Sequence, residues 1–229
     1  MSNKQFLRSI NLITKEKFDI ISSVKILLIG LGGVGGTCFE ALVRTGFQHF
    51  IIIDGDIVES SNLNRQILFN ESDIGLDKVL VAKKHAMEIN PNLDIKSIKM
   101  KINREKADIL AEFDFDFLID AIDDIPAKVF LVEYAIKNNK SFVSSLGMAN
   151  RFDPSKVTIT RLDKATGDPL AKKFRYELKQ KQIDTKKVIV CYSQELPLKD
   201  GINLNSIMMP PSSAGLNIAY HVLLHFINE

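Results

Sequence analysis

Five glycines occupy the seven positions from Gly30 to Gly36, directly after an apolar run, in the stretch LLIGLGGVGG. Glycine lacks a Cβ, so such a loop admits left-handed turns and lets a ligand lie close against the backbone. Gly30, Gly32 and Gly35 fit G-x-G-x-x-G, with Gly33 inside the same loop, and Asp54 follows Gly35 by 19 residues at the end of a second apolar run. That arrangement suits a dinucleotide, with phosphates on a helix N-terminus and a carboxylate on the ribose hydroxyls. Taken alone it favours an NAD-linked oxidoreductase. A role in strand–helix packing alone would leave the placement of Asp54 without a reason.

The segment after Asp54 points to different chemistry. DGDIVESSNLNRQ supplies Asp56, Asn62, Arg65 and Gln66 as further nucleotide contacts, with Asn64 next to Arg65; Lys78 comes thirteen residues after Arg65, and Asp123 lies in LIDAIDD. Hydride transfer needs an apolar nicotinamide pocket and has no use for extra phosphate-binding cations. Transfer of AMP from ATP needs cations beside the phosphates, where charge grows on the departing pyrophosphate, and a carboxylate to hold Mg2+. Arg65, Lys78 and Asp123 form that set.

The elements that must position these residues alternate. VKILLIG reads as a buried strand ending at Gly30, VGGTCFEALVRTG as a helix closed by Gly46, and HFIIID as a strand ending at Asp54. A helix from Asp77 to Ile89 stops at Asn90-Pro91; LDIKSIKM, DFLID and SFVSSL read as strands, REKADILAEF as a short helix, and DDIPAKVFLVEYAIKNN as a helix with Pro126 in its first turn. The alternation predicts an α/β, Rossmann-like, mostly parallel sheet with helices on both faces. Residues 3–22 read as an N-terminal helical segment. After Gly147 come a strand (KVTITRL), a helix with Asp168 as N-cap (DPLAKKFRYELKQK), a strand (KVIVCYS) and a last helix (AGLNIAYHVLLHF). These form a C-terminal α+β lobe. The expected organisation is one domain over residues 1–229, with a nucleotide-binding core at 1–150 and a basic lobe at 151–229.

Composition bounds the partners. The chain of 229 residues is 45% hydrophobic and 25% charged, which suits a globular enzyme with a sizeable core. Its formal charge is only +2, yet Ser155 to Lys187 hold ten Lys/Arg against four Asp/Glu. A local basic lobe suits an anionic partner. Cys38 and Cys191 form no C-x-x-C pair, so neither a zinc site nor a disulfide framework is expected, and a reducing cytoplasm is the default. The N-terminus lacks the continuous apolar core of a signal peptide, and no apolar run approaches the roughly 20 residues of a membrane span. His221 and His225 stand at i, i+4 without an acid to complete a metal site.

In order and spacing, GLGGVGG, DGDIVESSNLNRQ, IGLDKV, INPN and DAIDD resemble the ubiquitin-activating-like adenylyltransferases, the ThiF, MoeB and HesA group. Molybdopterin-synthase and thiamine sulfur-carrier activating enzymes are among them. The resemblance runs over nearly the whole chain. It implies a glycine loop on the phosphates of ATP, Asp54 on the ribose, Arg65 and Lys78 on the phosphates, and Asp123 linked to Mg2+. It also implies an N-terminal arginine, Arg8 by position, that reaches the ATP of a second copy, so a homodimer is expected.

Within that family, NRFDPSKVTITRLDKATGDPLAKKFRYELKQ, VIVCYSQELP and MMPPSSAGLNIAYHVL are similar to the branch that dehydrates threonylcarbamoyladenosine in tRNA. The longer sulfur-carrier activators usually hold two C-x-x-C pairs, which this chain lacks. The resemblance implies adenylation of a threonine carboxylate, then attack by the neighbouring ureido group, with AMP and pyrophosphate released. It places Cys191 at the family's cysteine, a position for a transient thioester that a core strand would equally bury. Lys172, Lys173, Arg175 and Lys179 are the candidate tRNA contacts. A cysteine desulfurase or a sulfur acceptor protein is a further expected partner, by analogy with some relatives. Activation of a ubiquitin-like sulfur carrier and the NAD-linked oxidoreductase are the rival readings; a non-catalytic binding module fits poorly with an intact phosphate set.

Overall fold

Strand β1 (Lys25–Ile29) shows why the sheet is covered on both sides. Ile26 and Leu28 enter one apolar cluster, while Leu27 and Ile29 enter another on the opposite face. Alternation with both faces buried is the mark of a parallel sheet between helical layers. The computed structural model describes residues 4–103, 109–198 and 204–228.

Two helices, α1 (Leu7–Ile13) and α2 (Lys15–Ser23), precede β1. The N-terminal helical segment is thus two helices, divided at Thr14. Thr14 adopts φ 77° and its side chain caps α2 through Lys17 N. Helix α3 (Gly33–Thr45) and strand β2 (His49–Asp54) follow, then α4 (Lys78–Ile89), β3 (Asp94–Lys99), β4 (Phe117–Asp120), α5 (Ile125–Lys137) and β5 (Ser141–Ser145). The expected short helix over REKADILAEF falls largely outside the described residues, and 109–112 form a 3-10 turn. The chain ends with β6 (Val157–Arg161), α6 (Pro169–Gln180), β7 (Ile189–Ser193) and α7 (Met209–Ile227).

Among the described residues, seven strands form one sheet in the order β3-β2-β1-β4-β5-β7-β6. Only β6 runs antiparallel, paired with β7. Strands β6 and β7 thus extend the same sheet past β5. Asp124 caps α5 by accepting from Ala127 N at 2.9 Å, and Asp168 caps α6 by accepting from Ala171 N at 2.8 Å. Chain order reverses between β1 and β4, and such a switch point opens a crevice at the carboxyl ends of the strands. Gly30, Asp54 and Asp123 all lie at that edge.

Candidate nucleotide-binding active site

The glycine loop leaves β1 at Gly30, with φ 94° and an N–H that donates to Ile53 O at 2.8 Å. A Cβ on Gly35 would stand 1.8 Å from Gly30 O. These two glycines close the turn, one through its left-handed backbone and one through contact. Gly32 is different: a Cβ there would meet only Gln66 Nε2, at 3.9 Å. Helix α3 starts immediately afterwards with no side chain capping its first amides. Open space beside uncapped helical amides is a cradle for an anion.

Gln66 overhangs that opening. The residue is only 6% exposed, and its buried Oε1 has no hydrogen-bond partner among the described residues. A buried amide oxygen without a partner is costly unless a ligand supplies one. Asp54 secures the loop from the other side, accepting from Leu31 N at 2.6 Å and Asp56 N at 2.8 Å. Asn62 is buried in a capping turn, where its Oδ1 accepts from Glu59 N at 3.2 Å.

Lys78 opens α4 as a buried cation, its Nζ 3.5 Å from Asp56 Oδ2. Lys101 approaches the same carboxylate at 3.0 Å. Its stem crosses Gly55, where a Cβ would stand 2.3 Å from Lys101 Cγ. Burial works to raise the Asp56 pKa, but the Lys101 hydrogen bond and the charges of both lysines outweigh it and hold the carboxyl below its usual range. The Asp56 hydrogen bond raises Lys101 in turn, and the charges of Asp54 and Asp123 add to it. Lys101 is thus a cation among three aspartates, and the motif reading missed it. Its signal was positional: β3 pairs with β2 and ends with Lys99 opposite Asp54, so the second residue after β3 reaches the same edge.

Arg65 is folded onto its own turn, with Nη1 donating to Ser61 O at 2.7 Å and Asn64 Oδ1 at 2.9 Å. The turn itself lies on the loop, since Arg65 O would be 3.1 Å from a Cβ on Gly33. Asp123 is exposed beyond β4. At the end of β4 sits a second feature that sequence reasoning missed. Lys128 Nζ donates to Asp120 Oδ2 at 2.9 Å and to Ser144 Oγ at 3.1 Å, with all three residues fully buried. This network ties the ends of β4 and β5 to α5.

The other candidates stand away from this cluster. Cys191 is 0% exposed in the core, with its thiol facing Ala214 O at 3.7 Å and its pKa pushed up by burial to about 12. A thiol so placed packs as a small core side chain of β7, one of the two readings of this position. Arg8 is exposed on α1, which packs against α2. Lys172, Lys173 and Lys179 are exposed on α6, whereas the Arg175 guanidinium donates to the carbonyls of Leu162 and Ala165. His221 and His225 ring the buried Phe117 on α7, which accounts for their spacing.

The described residues hold no group of three or more His, Cys, Asp or Glu arranged for a metal. Mg2+ bound with a nucleotide needs only one or two carboxylates beside the phosphates, and Asp123 fits that requirement. No helix among the described residues is long and apolar enough to cross a membrane.

The sheet order, the open glycine loop and the buried lysine define an α/β nucleotide-binding protein built to receive phosphates. The chain belongs to the ThiF family, whose model matches residues 6–195. It is 31% identical to the tRNA threonylcarbamoyladenosine dehydratase of Bacillus subtilis, over 98% of this chain and 95% of that protein. It is 30% identical to tRNA threonylcarbamoyladenosine dehydratase 2 of Saccharomyces cerevisiae, over 85% of this chain and 45% of the longer yeast protein. The crystal structure of the Escherichia coli tRNA N6-threonylcarbamoyladenosine dehydratase in complex with ATP superposes with a TM-score of 0.92 at 27% identity, covering 98% of this chain and 94% of that one.

Proposed function

We propose that this protein is an ATP-dependent dehydratase of threonylcarbamoyladenosine in tRNA. The observation that carries the reading is the phosphate cradle at the switch point, where open Gly32, the orphaned Gln66 amide and buried Lys78 converge on one edge. The end-to-end similarity to dehydratases supplies the substrate.

In the first step an oxygen of the substrate's threonine carboxylate attacks the α-phosphorus of ATP. The bond to the bridging oxygen breaks and pyrophosphate leaves. Lys78 meets the growing negative charge, and Arg65 joins it by exchanging its bonds to Ser61 and Asn64 for a phosphate. Asp54 receives the ribose hydroxyls. Asp123 would hold Mg2+ beside the phosphates, and the ion would supply further charge neutralisation there. In the second step the ureido group of the same side chain attacks the acyl carbon and loses a proton, the bond to AMP breaks, and a ring closes. AMP carries away the carboxylate oxygen, so the nucleoside loses one water overall. Attack within one side chain has high effective molarity and needs no covalent enzyme intermediate. Burial of Cys191 supports this direct route.

Lys172, Lys173 and Lys179 would contact tRNA phosphates, and Arg8 would reach the ATP of a second copy in a homodimer. The test is nucleoside mass analysis of tRNA bearing threonylcarbamoyladenosine after incubation with Mg-ATP. An ATP-dependent loss of one water supports the reading. No loss, with ATP–pyrophosphate exchange only on addition of a carrier protein ending in Gly-Gly, would transfer the assignment to sulfur-carrier activation.

A further inference from the structure

Helix α6 divides cleanly into two faces. Ala171, Phe174 and Leu178 are buried in the apolar cluster that includes Ile125, Val129 and Val132 of α5. Exposed Lys172, Tyr176 and Lys179 form a stripe at i, i+4 and i+7, with exposed Lys173 beside it. Glu177, the only acid of the helix, is half-buried and lies off the stripe. Tyr176 is 61% exposed and stands between the lysines.

The helix also starts at the right place. Asp168, its cap, pairs with Arg151 at 3.0 Å, and Leu170 Cδ2 would be 3.8 Å from a Cβ on Gly147, just past the carboxyl end of β5. Hence α6 departs from the edge that bears the glycine loop and carries the stripe away along the outer surface. Lysines take phosphates at any sequence, whereas an aromatic ring among them adds a platform for an unpaired base. Paired bases in an RNA helix are already stacked and out of its reach.

We infer that Tyr176 stacks on an unpaired nucleotide of the substrate RNA, flanked by phosphate contacts to Lys172, Lys173 and Lys179. This rests on the tRNA reading above and adds to it a selection for loop over stem.

The experiment measures anisotropy of a fluorescein-labelled anticodon stem-loop and of a fully paired RNA duplex, each over a range of salt concentrations. Tyr176→Ala should weaken stem-loop binding about 5- to 150-fold with an unchanged salt slope, and Tyr176→Phe should bind like wild type. Lys172→Gln should instead flatten the slope by about 0.7. Duplex binding and ATP binding by Tyr176→Ala should match wild type. Unaltered stem-loop binding by Tyr176→Ala, or an equal loss on duplex, would overturn the stacking role. Failure of wild type to bind the stem-loop or to dehydrate tRNA would defeat the tRNA reading instead, and the inference with it.

Discussion

Lys78 is joined to Asp56 twice: its backbone N–H donates to the Asp56 carbonyl at 3.1 Å, and its Nζ stands 3.5 Å from the Asp56 carboxylate. The backbone bond fixes where α4 begins, and the ion pair aims the ammonium at the glycine-loop edge. Lys78→Ala keeps the first and removes the second, while Lys101 remains on Asp56. The expected outcome is a fall in ATP-dependent turnover of about 10²- to 10³-fold with the fold retained. Pyrophosphate release and a thermal melt measure the two separately.

Gly32 and Gly35 should separate binding from folding. A methyl group at Gly35 would collide with the Gly30 carbonyl, whereas at Gly32 it would fill open space. Gly35→Ala should cost about 1–3 kcal/mol of stability or more. Gly32→Ala should melt like wild type yet bind ATP more weakly. Titration calorimetry with ATP beside a denaturant melt would show the split, and equal melting of both variants would refute it.

Cys191 should be chemically silent in the folded chain. With the thiol buried and its pKa near 12, a thiol-reactive disulfide reagent at mildly alkaline pH should leave Cys191 unmodified until denaturant is added. Cys191→Ala should keep full turnover, since direct ring closure asks nothing of the thiol. A turnover-dependent thioester trapped on Cys191 would reverse this assignment.

The buried Lys128–Asp120 pair should matter most when half of it is removed. Lys128→Met strands a carboxylate with no exposed surface, and a loss of about 3–5 kcal/mol is expected. Asp120→Leu in the same chain should recover much of that loss, because it removes the uncompensated charge. Urea denaturation of the two variants gives both values.

His221 sets an acid limit on stability. Burial lowers its pKa, with the charge of His225 contributing next, so the folded chain disfavours the imidazolium. Above the ordinary value of about 6.5 the ring is neutral in both states and carries no penalty. Below it the unfolded chain takes up the proton first, so the melting temperature should fall as pH drops from about 6.5 toward 5. His221→Gln should flatten that slope in a melt series. An unchanged slope would place the acid sensitivity elsewhere.

Much of the site was legible because its chemistry is local. Gly30 and Asp54 sit at the ends of strands that periodicity alone outlines, and Gly35 lies in the first turn of the helix that follows. Asp124 and Asp168 announce helices through capping that needs only the next few residues. Other features needed distant partners. Thr14 breaks the N-terminal helical run with a positive φ that its residue type does not advertise. Arg175 reads as a free cation on a basic helix, yet the turn at Leu162–Ala165 takes its guanidinium.

The sequence by itself determined the class of sheet, the glycine loop and the cations after it, because strand alternation, turn glycines and caps are set by neighbours in the chain. The tertiary structure alone decided that Lys101 crosses Gly55 to reach Asp56, that Asp120, Lys128 and Ser144 close into one network, and that Cys191 is sealed in the core. Each depends on which strands lie side by side and in what register. That choice is made by burying whole faces against one another, which no short stretch of residues encodes.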